Sequence, residues 1–369
     1  MPRRPSRLSA RLRIVPRALL KRALAGKRRR PAHPGRILVA HQLLLGDTLM
    51  LTPLLARLRR RNPEAEIVLT VSRGQLPLYA TRPYGVRAVA YDSRNAASTK
   101  ETIDLGTFDL AVVPGDNRHA ILAHALGSAW VVALAGDRPG WKNRFVDELV
   151  PFPSEPVVLS DMFALLAGEN GDEVYRPGDW PRPPCAPFEL PRRDYAVLNV
   201  DASSALRLWP SHKWLELADA LKESGLEVAF CAGPGGELMV GDIDPERRHL
   251  SYAGILDLPQ LWRLLEHARL LVCLDSGVSH LAKLAGTPSV VLYGPGTSAL
   301  FGPGSFWREH PFRAVTIPDF PCRDQRGVFK RDVAWVKRCY RTLAECPAPA
   351  CMHALETEAV VESCRELLG

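Results

Sequence analysis

The sequence has no run of about 18 uninterrupted apolar residues, which excludes an ordinary membrane-spanning helix. Its start is basic, but Leu8 to Leu24 is interrupted by Arg11, Arg13, Arg17, Lys21 and Arg22, so no secretory apolar core follows and export by that route is not expected. No G-x-G-x-x-G follows the first apolar run, where Gly46 stands alone, which argues against a hydride-transferring dehydrogenase. Aromatic-rich RNA motifs and zinc-finger spacings are missing, so a nucleic-acid-binding protein has only the basic start to support it.

What is present describes a folded, two-domain chain. Apolar residues make up 46% and charged residues 24%, near the average for soluble proteins, and 369 residues suit two cores of ordinary size. Residues 1–36 hold 13 of the 48 Lys and Arg and no acid, leaving 35 basic against 40 acidic side chains elsewhere. The basic pI therefore belongs to a tail rather than to the body of the protein. Of eight cysteines, Cys185, Cys231, Cys273 and Cys364 are scattered, and Cys231 and Cys273 lie in apolar strand-like runs, the manner of reduced, buried thiols. A reducing compartment is expected. Cys322, Cys339, Cys346 and Cys351 gather at spacings x16, x6 and x4, without a CxxC pair, which leaves a structural cluster or a metal site open.

From Arg36 onward strands alternate with helices. Ile37 to Ala40 is a strand, His41 to Gly46 a loop, and Leu51, Leu54, Leu55 and Leu58 form one helical face that Asn62-Pro63 ends. Strands follow at Ile67 to Val71 and Leu110 to Val113, then a helix from about Arg118 to Leu126. Prolines from Pro177 to Pro191 stiffen an exposed connection, taken as the domain boundary. The rhythm resumes with strands at Ala196 to Val200, Val228 to Ala232, Leu270 to Leu274 and Ser289 to Tyr293, with helices around Trp214 to Leu221 and through Ala285. Such alternation implies mostly parallel sheets covered on both faces, with ligands at the carboxyl ends of strands.

That rule selects the loops carrying chemistry. After Leu274, Asp275-Ser276-Gly277-Val278-Ser279-His280 makes a tight turn into a helix. The N–H groups of Ser276 to Val278 and the positive helix end would cradle a phosphate, with His280 as a further donor; an Asp N-cap is the plainer alternative. Gly294-Pro295-Gly296 follows the next strand. Ser203, Ser204 and Arg207 suit a leaving diphosphate, although a capped helix with Trp209 as core anchor explains the same residues. Glu237 can accept from ribose hydroxyls or simply open a helix. Asp47, after Leu45-Gly46, is either a general base or a helix cap.

Taken together, the order and spacing of these pieces, with Pro53 and Asn117-Arg118, resemble the heptosyltransferase family of bacterial lipopolysaccharide synthesis, glycosyltransferase family 9, from about Arg36 to the C-terminus. The resemblance implies an α/β fold of GT-B architecture, two Rossmann-like domains with mostly parallel sheets facing across a cleft. The divisions would be a basic extension at 1–33, an acceptor domain at 34–185, and a nucleotide-sugar domain at 186–369 that includes the Cys-containing segment. It implies inverting, metal-independent transfer of heptose from ADP-heptose to a lipopolysaccharide-core or related glycolipid acceptor, with no cofactor and no nucleic-acid partner. In that scheme Asp47 is the base and Arg207 stands where a lysine is usual. Ser203, Glu237, Leu256, Asp275, Ser276, Gly277, Val278 and His280 match nucleotide-sugar contacts, Ser204 joins them, and Arg118 is assigned to the acceptor. Arginine for lysine changes the hydrogen-bond geometry, so another nucleotide sugar, for O-antigen or another surface glycan, stays open.

The extension mixes leucines with cations. It is either an interfacial helix on the anionic inner leaflet, making the protein cytoplasmic and peripheral on the inner membrane, or a solvated basic tail or a misassigned start.

Overall fold

A computed structural model describes residues 8–26, 28–168 and 171–369; residues 1–7 of the basic extension lie outside the described residues. The chain divides into two compact units. One comprises Met1–Glu155, Leu159–Glu173 and Gly327–Ala334, the other Pro156–Val158, Val174–Arg326 and Trp335–Gly369.

The first unit contains α1 (Leu8–Leu24), β1 (Arg36–Val39), α2 (Leu45–Leu49), α3 (Thr52–Arg61), β2 (Glu66–Val71), β3 (Val86–Ala90), α4 (Ala96–Ile103), β4 (Leu110–Val113), α5 (His119–Leu126), β5 (Trp130–Leu134), β6 (Glu148–Val150) and α6 (Leu159–Ala164). Its six strands are all parallel, in the order β3-β2-β1-β4-β5-β6. The second unit contains β7 (Tyr195–Asn199), α7 (Ser211–Glu223), β8 (Glu227–Cys231), α8 (Glu237–Ile243), β9 (Leu250–Ser251), α9 (Leu258–Glu266), β10 (Leu270–Leu274), α10 (Gly277–Ala285), β11 (Ser289–Tyr293), α11 (Ser298–Phe301) and β12 (Phe312–Thr316). Its order, β12-β11-β10-β7-β8-β9, repeats the first sheet's plan, so each unit is a doubly wound Rossmann-like layer. A two-stranded ribbon of β13 (Gly327–Val328) and β14 (Arg331–Asp332) belongs to the first unit, and α12 (Ala350–His353) and α13 (Thr357–Leu368) to the second.

Central strands buried on both faces explain the apolar runs. Every residue of β7, β10 and β11 is buried, as parallel strands between helix layers must be. The Pro-rich stretch lies within the second unit, anchored where Trp180 (1% exposed) packs on Trp262, ring centres 6.0 Å apart. In each sheet the order reverses beside the first strand, between β1 and β4 and between β7 and β10, which fixes where ligand crevices open.

Of the basic extension, α1 is a folded part of the first unit. Ile14 and Ala18 of α1 join the core formed by Ala120, Leu122, Ala123 and Leu126 of α5. Arg17 Nε donates to the Ala125 carbonyl at 2.8 Å and Lys21 Nζ to that of Leu126 at 3.4 Å, so cations satisfy carbonyls at the negative end of α5. Arg28 pairs with Asp147 at 2.7 Å. A solvated tail is therefore not what residues 8–24 form. Inverted relative to a simple amphipathic helix, α1 turns cations toward the protein and leaves Leu12, Leu19, Leu20 and Leu24 between 51% and 76% exposed.

Candidate active site

In the second unit, loops after β7, β8, β10 and β11 converge at the carboxyl edge of the sheet. Asp201 ties two of them together: its Oδ2 accepts from Gly233 N at 2.7 Å and its Oδ1 from Asn199 Nδ2 at 3.0 Å. Arg207, also after β7, ties in the loop after β10, donating from Nη1 to the Asp275 carbonyl at 2.5 Å with the carboxylate Oδ2 at 3.7 Å. Asp275 is buried; burial raises its pKa, while Arg207, Arg338 and Lys283 pull it the other way. Three cations thus act on one carboxylate at the switch point. A Cβ on Gly296 would stand 2.1 Å from Asp275 Oδ2, which explains a glycine in that loop.

The cap of α10 is Ser276 rather than Asp275: the serine hydroxyl accepts from Val278 N at 3.4 Å. The Val278 N–H, expected to point outward for a phosphate, is thereby engaged within the helix start. His280 is 3% exposed, and its Nδ1 faces Lys283 Nζ at 3.2 Å. Burial, then Lys283 and Arg207, hold its pKa well below the usual imidazole value. The ring is neutral, and a donating Lys283 at Nδ1 puts its proton on Nε2.

Among the remaining residues singled out, Ser203 is exposed and Ser204 half-buried, the latter preceding a turn of 3-10 helix at Ala205–Arg207 without a side-chain cap bond. Trp209 is a core residue, its Nε1 donating to the Leu355 carbonyl at 3.0 Å. Glu237 opens α8, with its carboxylate over Gly254: a Cβ there would lie 1.8 Å from Glu237 Oε1, and the glycine's φ of +72° is left-handed. Leu256 is half-buried just before the capping box of α9.

The first unit builds a second cluster at its own switch point. Asp47 is half-buried in α2, whose N-cap is Leu44, so Asp47 does not cap that helix. Beyond β4, Arg118 Nε and Nη2 clasp Asp116 Oδ2 at 2.9 and 2.6 Å. Beyond β5, Asp137 accepts from Lys142 Nζ at 2.7 Å and from Asn117 N at 2.8 Å, all three nearly sequestered from solvent. Burial works to raise the Asp116 pKa, but the Arg118 hydrogen bonds and charge, with Lys142, overcome it and keep the carboxyl ionised. Gly115 lets Leu43 approach: an added Cβ would sit 2.9 Å from Leu43 Cδ2, so the β1 and β4 loops abut. His41, buried there, has its pKa lowered to about 3 by burial and by His119.

Sequence reasoning missed Asp137, Lys142, Asp201, Lys283 and Arg338. Asp137 and Asp201 follow strands, and the strand-end rule would have found them; Lys283, inside α10, carries no signal that sets it apart from an ordinary helix cation. The four clustered cysteines occupy one locale beside the β11 loop. The Cys322 and Cys351 thiols are pushed up chiefly by burial, and Cys351, to about 11, also by the other three. Among the described residues no three His, Cys, Asp or Glu side chains stand in an arrangement that could hold a metal ion.

Known proteins share this plan. The model of glycosyltransferase family 9 (heptosyltransferase) matches residues 100–325. Lipopolysaccharide heptosyltransferase 3 of Escherichia coli is 24% identical over 319 residues, covering 76% of this chain and 89% of that protein. Among solved structures, E. coli ADP-heptose lipopolysaccharide heptosyltransferase II superposes with a TM-score of 0.68 at 18% identity, over 90% of this chain and 98% of that one. An E. coli heptosyltransferase solved with ADP gives 0.64 at 17% identity, over 90% and 99%. The protein is an enzyme, and the chain belongs to glycosyltransferase family 9 (heptosyltransferase).

Proposed function

We propose that the protein moves heptose from ADP-heptose onto a lipopolysaccharide-core or related glycolipid acceptor, with inversion. The observation that carries this reading is the gathering of three cations on Asp275 at the carboxyl edge of the sheet. Arg207, Lys283 and Arg338 supply positive charge where a diphosphate would gather negative charge as it leaves. Ser203 and Ser204, Glu237, Leu256 and the turn from Asp275 to His280 hold the nucleotide sugar. Asp47 takes the proton of the attacking hydroxyl, and Arg118 contacts the acceptor. Incubating the enzyme with a panel of nucleotide sugars and following slow hydrolysis tests the donor. ADP-heptose should be consumed fastest; preference for a uridine or guanosine sugar would sink the assignment in favour of another surface glycan.

We further place the enzyme on the cytoplasmic face of an anionic membrane. The support is the outward leucine row of α1, Leu12, Leu19, Leu20 and Leu24, in a segment whose residues 1–36 hold 13 Lys and Arg and no acid. Liposome pelleting with and without residues 1–33 checks it: equal binding of the two forms rules the membrane role out.

A further inference from the structure

Residues Gly327–Ala334 leave the second unit's sequence to join the first, and they do so through a conformation that needs support. Val328 pairs with Arg331, so Phe329 and Lys330 form a two-residue hairpin turn, both left-handed at φ +44° and +63°. That turn favours Asn-Gly, and neither residue here is of that kind. Two contacts hold it. The Phe329 ring packs on Phe163 at 5.9 Å between centres, and Arg331, 2% exposed, spends its guanidinium on the first unit's loops. Arg331 donates to the carbonyls of Ala135 (2.6 Å), Leu134 (2.9 Å) and Gly115 (3.1 Å), and to Asn117 Oδ1 (3.0 Å). Both crevice loops, after β4 and after β5, are therefore fastened by one side chain more than 190 residues away in sequence.

The consequence lies in Lys330. Its side chain is 59% exposed, and the ammonium stands 3.9 Å from Asp116 Oδ2, the oxygen Arg118 already clasps. Arg118, Lys142, Lys330 and Arg331 thus crowd around Asp116 and Asp137, four cations against two carboxylates. Asp332, next along, is exposed on the opposite side of the ribbon, as strand alternation requires. Surplus charge beside a switch-point crevice suits an anion that approaches from solvent.

We propose that this strap completes an anion subsite in which Lys330 and Arg118 bind a phosphate or carboxylate of the acceptor, with Arg331 as the residue that positions it. The role as acceptor rests on the transfer reading above; the subsite itself does not. Lys330→Ala, at an exposed position, should raise the acceptor KM about tenfold, the loss of one charge-assisted hydrogen bond, and leave the ADP-heptose KM within about twofold. Lys330→Arg should restore most of the loss. Phosphatase treatment of the lipopolysaccharide acceptor removes the difference between wild type and Lys330→Ala if phosphate is the anion, and preserves it if a carboxylate is. Arg331→Lys should raise the acceptor KM alone; a matching rise in the donor KM would reduce Arg331 to a structural tie. Independently of transfer, inorganic phosphate should raise the Tm of the wild-type chain and not that of Lys330→Ala. An unchanged acceptor KM in Lys330→Ala, or equal stabilisation of both proteins by phosphate, overturns the subsite.

Discussion

Replacing Asp137 by alanine should destabilise the first unit by about 3 kcal/mol, and the reason is visible in the burial of its partner. The Lys142 and Asp137 side chains are 1% and 0% exposed and 2.7 Å apart, so deletion of the carboxylate strands a desolvated ammonium. Breaking a buried pair typically costs about 3–5 kcal/mol. The lower end applies because Asp116 Oδ1 remains 3.2 Å from the same ammonium, although the Asn117 amide also loses its acceptor. At about 2–4 °C per kcal/mol for a domain of this size, the affected transition should fall by roughly 6–12 °C in scanning calorimetry. Asp137→Ala combined with Lys142→Met should recover much of that loss, since an apolar pair removes the stranded charge. A single variant within about 1 kcal/mol of wild type, or a double variant less stable than the single, would refute the argument.

Three further outcomes follow from the sites. Asp47→Asn should abolish turnover while leaving donor affinity nearly intact by calorimetric titration; near-normal turnover removes Asp47 from the base role. Arg207→Ala should lower kcat by about 10²–10³, the scale of losing one preorganised charge partner, with Arg207→Lys intermediate; a change confined to KM would deny it a part in leaving-group departure. Acidification should release α1 from α5. His124 accepts from Arg28 at Nδ1 and donates from Nε2 to the Phe145 carbonyl, and its pKa is lowered to about 4, first by burial and then by Arg28 and Arg22, against the pull of that carbonyl bond. The neutral ring is favoured in the folded state, so its contribution is complete above pH 6.5 and is lost as the pH falls through 4. Limited proteolysis within α1 should accelerate across that window, and a flat profile would exclude His124 as the cause.

Much of this architecture is legible in the chain. Leu270 to Leu274 and Leu110 to Val113 are continuous apolar runs bounded by loop residues, and both are strands with those bounds. The loops after them hold Asp275 and Asp116, as the strand-end rule demands. What escaped did so for physical reasons. β12 (Phe312–Thr316) buries only Val315 and exposes Arg313 and Ala314, so it lacks the buried-strand signature. α1 reads as either an interfacial helix or a solvated tail, and its packing on α5 is not legible because its cations bond carbonyls of an element about 100 residues away. Ser276 displaces Asp275 as cap because the aspartate is drawn into the buried charge cluster with Arg207. Arg331 has no local signal at all, since its partners lie near Asn117 and Leu134.

The stereochemistry of transfer tests the paired roles of Asp47 and Arg207 most directly. Proton NMR of the product formed from ADP-heptose and a lipopolysaccharide-core acceptor should show the anomeric configuration inverted relative to the donor, and product formation should vanish with Asp47→Asn. Retained configuration, or transfer that survives that substitution, would contradict a single displacement driven by Asp47 and relieved at Arg207.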